Sequence, residues 1–141
     1  MTYNELQNRV YQNAAMGITA LREVIPAVHD KKMKEVLVRQ YEGYKNQTEL
    51  TASQMKAENQ MPKALPLYER LMAKASTAMN IRRNSSTENI AKMLIKGTNT
   101  GIIELTQTLN RNSDSNAQAV DSAKEYLKRE QEYIDSLKPF L

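Results

Sequence analysis

The sequence predicts an all-α protein. It reads as a single domain spanning 1–141, an up-down bundle of four long helices with a short extra helix between the second and the third. Three observations carry this. Apolar residues recur at steps of three and four along four long stretches, the spacing that gathers them on one side of an α-helix. Glycine and proline number only four each, and the apolar content is mostly Leu, Ile, Val, Met and Ala, which favours helix over strand. No stretch alternates apolar and polar residues as a half-buried strand would.

The first stripe runs Tyr3, Leu6, Val10, Ala14, Ile18, Leu21, Ile25 and Val28, predicting a helix over about 3–28 that Pro26 ends or bends. Asp30 has the chemistry to cap the next helix, about 31–59, whose inward face reads Met33, Leu37, Tyr41, Tyr44, Thr48, Thr51 and Met55. Pro62 and Pro66 punctuate the connection out of this helix. Leu67, Leu71, Met72, Ala75, Ala78 and Met79 then predict the short amphipathic helix, about 64–80, with a break over Ile81 to Asn84. Ser85-Ser86-Thr87-Glu88 fits a capping box, in which a serine hydroxyl and a glutamate three residues on satisfy free N–H groups reciprocally. The third long stripe is Ile90, Met93, Leu94, Gly97, Gly101, Leu105 and Thr108, ending near Asn110. A polar loop, Asn112 to Asn116, precedes the last helix, which carries Ala119, Ala123, Tyr126, Leu127, Glu130, Tyr133, Ile134 and Leu137 and stops at Pro139.

Two details go beyond periodicity. All four glycines fall inside helices, where each costs about 1 kcal/mol relative to alanine. Packing or access must therefore require them, and the Gly97–Gly101 spacing suggests close approach of another backbone. The segment Met16-Gly17-Ile18-Thr19-Ala20-Leu21 also resembles Thr100-Gly101-Ile102-Ile103-Glu104-Leu105, as if two related hairpins formed the bundle.

Composition excludes several function classes. The chain has no cysteine, which removes disulfides, thiolate metal sites and cysteine nucleophiles. Nothing approaches the roughly 18 consecutive apolar residues of a membrane span, and the first residues lack the order of a signal peptide, so a cytoplasmic protein is expected. A net charge of +4 raises the question of an acidic partner. The basic residues are nevertheless spread among glutamates, with one local cluster at Lys74, Arg82 and Arg83, and this does not predict a nucleic-acid binder.

Polar residues on inward faces are the candidates for chemistry. Glu130 falls in the middle of its stripe, with Tyr126 and Tyr133 flanking it; Glu104 lies at the edge of the third long stripe; Tyr41 and Tyr44 lie on the inward side of the second. A buried carboxylate needs a partner and would have its pKa raised. Three readings of Glu130 stay open: a hydrogen bond to Tyr41 or Tyr44 that fixes register, a pocket for a metal or small ligand, or a place less buried than the stripe suggests. His29, the single histidine, sits in a turn beside Asp30, where it can serve neither a triad nor a metal site built across helices. Arg82 and Arg83 precede a helix N-terminus, where an anion would be welcome.

Four long helices, inward glycines in the first and third, and paired hairpins resemble the ferritin-like superfamily, and more narrowly its small bacterial bundles related to rubrerythrin. The resemblance covers nearly the whole chain as architecture. In metal-binding members, helices two and four each bring Glu-x-x-His and helices one and three each bring a Glu. Here the helix-two position reads Tyr41-Glu42-Gly43-Tyr44 and the helix-four position Glu130-Gln131-Glu132-Tyr133. Helix one offers Ile18 or Thr19, and helix three Ile102, Ile103 or Glu104. Only Glu104 and Glu130 match ligand types the family uses, a poor set for iron. The resemblance thus implies the fold without a di-metal centre or cofactor: a non-catalytic binding or structural protein that forms a homo-oligomer. The alternatives are a degenerate metal or small-ligand site lined by Glu130, Glu104, Tyr41, Tyr44 and Tyr133, and an anion or nucleic-acid contact through Arg82 and Arg83.

Overall fold

A computed structural model describes residues 4–141; Tyr3, which opens the first apolar stripe, lies outside them. Five α-helices form: α1 (Glu5–Val24), α2 (Lys31–Ala57), α3 (Leu67–Arg83), α4 (Thr87–Arg111) and α5 (Ala117–Leu137). Short 3-10 turns follow α1 at Ile25–Ala27 and α5 at Lys138–Phe140, each carrying the proline that stops its helix. No strand occurs among the described residues.

Side chains set most helix starts. Asn4, Asp30, Ser86 and Asn116 each accept a backbone N–H from the first turn they precede, with Met33 N–H donating to Asp30 Oδ1 over 2.8 Å as one case. The capping serine of α4 is therefore Ser86, which receives the Asn89 N–H, and the expected Ser85–Glu88 box does not form. Asn89 donates instead to Asn80 Oδ1 and to the Asn84 carbonyl, and this lets α3 run on to Arg83 through the expected break at 81–84. At the other end of α2, Asn59 takes a left-handed φ of 59° and the Gln60 N–H closes on the Met55 carbonyl.

The helices α1 and α2 pack along each other, as do α4 and α5; α1 also meets α4 and α5, and α2 meets α5. Hydrogen bonds from Gln40 to Ser136, Gln54 to Ser122 and Asn116 to Glu58 are successive rungs between α2 and α5, so these two run antiparallel. The Arg111–Glu5 pair, 3.7 Å apart, sets the end of α4 against the start of α1. It follows that α2 and α4 run in the same direction, because the segment between them carries the chain back along the molecule. That segment is pinned to one face of α1. Asn4 N–H donates to Gln60 Oε1, the Lys63 N–H to Asn8 Oδ1, and Gln12 Nε2 to the Lys63 carbonyl. Lys74 pairs with Glu23 one helix length further on. None of the side chains of α3 is buried, and the helix lies on α1.

The core follows the predicted stripes with one rotation. Leu6, Val10, Ala14, Leu21, Leu37, Ile90, Leu105, Ala123 and Leu137 are fully enclosed. In α2 the buried series is Met33, Leu37, Gln40, Tyr44, Gln47, Thr51 and Met55. Gln40 and Gln47 thus take the places expected of Tyr41 and Thr48, which move to the edge of the face.

Candidate functional site

Glu130 is buried in the middle of α5, with 2 % of its surface exposed. Tyr126 lies one turn earlier on the same face and Tyr44 comes from α2; both are also buried. Tyr133 stands edge-on to Tyr44, ring centroids 5.2 Å apart. Burial pushes the Glu130 carboxyl from an ordinary 4.5 to about 7, with the Tyr44 and Tyr126 hydroxyls pulling the other way. Burial and the nearby carboxylate raise both phenols well above their usual range, so they stay protonated at neutral pH. The Tyr126 hydroxyl also lies 2.5 Å from Asn13 Oδ1. Glu130 Oε1 is left without a hydrogen-bond partner.

Above this centre lies a cavity of about 350 Å³. Its walls come from α1 and α4, Leu65 and Thr77 of the crossover segment border it, and Tyr44, Gln40 and Glu130 line it from α2 and α5. Three of the four glycines lie on it. A Cβ on Gly97 would meet nothing within 4 Å, so this glycine opens space. A Cβ on Gly101 would lie 2.6 Å from Asn13 Nδ2. Gly101 therefore makes room for the side chain that holds Tyr126. The expected close approach of two backbones at Gly97 and Gly101 is replaced by a cavity and an amide. The two similar segments of α1 and α4 each place a glycine on the cavity, Gly17 and Gly101, and bury the leucine four residues on; Leu21 also lines the cavity and Leu105 does not.

The structure brings together Glu130, Tyr44 and, at the exposed rim, Glu104. Tyr133 supports Tyr44 from behind and does not line the cavity. Tyr41 lies apart: its hydroxyl receives the Arg22 Nε–H at 3.2 Å, and Lys45 stands over its ring. The place expected of Tyr41 beside Glu130 is taken by Tyr126. Asn13, Gln40 and Thr98 also line the site and were not legible as site residues. An amide on an inward face reads as an outward residue until the helix phase is known, and only the glycines beside them signalled a cavity.

Metal chemistry of the ferritin-like kind does not fit these residues. Glu42, Glu104 and Glu132 are all exposed, which leaves Glu130 as the one buried carboxylate at the positions in question. Among the described residues no three His, Cys, Asp or Glu side chains converge as a metal set. Arg82 and Arg83 lie in the exposed last turn of α3, where they suit its C-terminal dipole. At the start of α4 beyond them, Asn84 Oδ1 receives the Ser86 N–H and Ser86 Oγ receives the Asn89 N–H. His29 is exposed in its turn. Among the described residues no helix is long and apolar enough to cross a membrane.

No protein-family model, curated protein or solved structure matches the chain.

Proposed function

We propose that this chain is a ferritin-like helical bundle, four long helices with α3 inserted in the crossover, that has no di-metal centre and serves as a binding protein for a small ligand. The single observation that carries the reading is Glu130: a buried carboxylate with an unpartnered oxygen, set on a preformed cavity that three helix-interior glycines line. Buried polar groups are normally satisfied, and an orphan of this kind points to a missing partner. A cavity of this size is within the range of small-molecule sites. Two helices running in the same direction, joined by a crossover, support the ferritin-like part of the proposal.

The test is a fragment screen by methyl NMR on the whole chain, with the Met16 and Met93 signals reporting from the cavity wall. Fragments should shift those signals, and Glu130→Gln should weaken the binding while the helical circular dichroism stays intact. Stoichiometric iron, manganese or zinc in protein purified without chelator would remove the metal-free reading. As part of the same proposal the protein is a cytoplasmic homo-oligomer. The exposed Leu67, Tyr68, Leu71 and Met72 on α3 support assembly, and sedimentation equilibrium decides it.

A further inference from the structure

The cavity's lining also bears on which chemistry it would accept, an inference that rests on the binding reading above. Glu130 is more than nine-tenths buried and lines the cavity, and its Oε1 has no partner. In its ionised form the carboxylate offers only acceptor sites, and the group that completes it in that state is a donor. Several titratable groups surround it. Tyr44 comes from α2, and Tyr126 and Tyr133 from α5; burial holds all three in their neutral form. Arg9 of α1 and Glu104 of α4 bring opposite charges to the same cavity, and Thr77 of α3 is neutral. No cation is among the groups that set the state of Glu130; burial dominates, opposed by the two tyrosines. A buried carboxylate without a counter-charge is costly, and a ligand cation offsets that cost where a neutral donor does so only in part.

The rest of the lining sets the shape of the ligand's body. Met16, Ala20, Leu21, Met93 and Leu94 make an apolar wall suited to an aliphatic chain. Thr98 and Gln40 also line the cavity and carry oxygen acceptors for further N–H groups. We infer that the site binds an organic cation, an aliphatic molecule with a protonated primary amine that pairs with the Glu130 carboxylate.

Three six-carbon probes that differ only in the head group test this: n-hexylamine, 1-hexanol and hexanoate, titrated into the whole chain by methyl NMR. Hexylamine is expected to bind at least tenfold tighter than hexanol, and hexanoate more weakly than both. Its affinity should rise about tenfold per pH unit up to pH 7 and then level, because the cation displaces the Glu130 proton below that point. Hexanol should show no such slope. In Glu130→Gln the preference for amine over alcohol should vanish; the pH profile of the unaltered chain gives the same answer should that variant fold poorly. Equal binding of amine and alcohol, or preference for hexanoate, would overturn the cationic ligand and leave a general binding cavity standing. If none of the three probes shifts the Met16 or Met93 signals, both the cation and the cavity's binding role are wrong.

Discussion

The ring of Tyr44 occupies the space that a side chain on Gly17 would need: a Cβ there would lie 2.6 Å from the ring's Cε2 and 2.8 Å from its Cζ. The helix α1 gives up a side chain so that the tyrosine of α2 can reach Glu130. Gly43 and Gly97 contrast in the same way. At Gly43 a Cβ would run into the Tyr133 hydroxyl, whereas at Gly97 it would enter open space.

These glycines predict substitutions of opposite sign. Gly97→Ala should stabilise the fold by about 1 kcal/mol, since helix propensity improves and nothing is displaced. Gly17→Ala should destabilise it. Overpacking costs about 1–3 kcal/mol, and the alanine propensity offsets only part of that because the Tyr44 ring is buried and backed by Tyr133. Urea midpoints of the two variants check the pair, and a stabilised Gly17→Ala would show that Tyr44 has another place to go.

Glu130 predicts a pH dependence. Its carboxyl titrates near 4.5 when unfolded and at about 7 when folded. Below the lower value both states hold the proton and stability is unaffected. Between the two the unfolded chain ionises first, and stability falls as pH rises. Above the upper value the full penalty, about 3 kcal/mol, is present. Glu130→Gln carries no such charge, and its unfolding free energy should exceed that of the unaltered chain at pH 8 and converge with it near pH 4. Parallel pH profiles for the two proteins would mean that the carboxylate is solvated after all.

How far the sequence led depended on what kind of residue carried the information. Helices marked by Leu, Ile and Met at regular steps were legible to within a few residues, because burial of apolar surface fixes their phase. Caps such as Asp30 were legible because their chemistry is local. Where the stripe turns polar, phase is lost. In α2 the choice between Tyr41 and Gln40 as the inward residue is decided by Gln40 donating to Ser136 Oγ and the Tyr133 carbonyl, two partners on a helix more than ninety positions away. Glu130 was legible with Tyr41 or Tyr44 as its partner across the bundle, but the choice between them and the cavity beside them were not. The cavity arises from the packing of all five helices and from side chains that are absent.

A second orphan sits in the core away from the cavity. Gln7 is 2 % exposed, and neither its amide nitrogen nor its oxygen has a hydrogen-bond partner. A buried unsatisfied polar group costs about 1–3 kcal/mol. Gln7→Met keeps the length of the side chain and removes both polar atoms, so it should raise stability by that order, read as a higher urea midpoint with an unchanged slope. A loss of stability would instead reveal bound water or a partner that the amide serves.

The crossover segment predicts where the molecule opens. No side chain of α3 is fully buried, and its position over α1 rests on the partly buried Ile81, the Lys74–Glu23 pair and the hydrogen bonds of the strip before it. The shortest of these hydrogen bonds is the Lys63 N–H to Asn8 Oδ1, at 2.7 Å, and the accepting Asn8 is itself nearly enclosed. Asn8→Ala removes the acceptor and leaves that backbone donor with a poorer alternative, at a cost of about 1–2 kcal/mol to this docking rather than to the core. Hydrogen exchange should therefore quicken over residues 60–83 and stay unchanged in the amides of α2 and α5. Equal acceleration throughout would show that Asn8 supports global folding and that the crossover is not a separately opening unit. If exchange stays slow everywhere, the apolar contacts of Ile81 and the Lys74–Glu23 pair are enough to hold α3 in place.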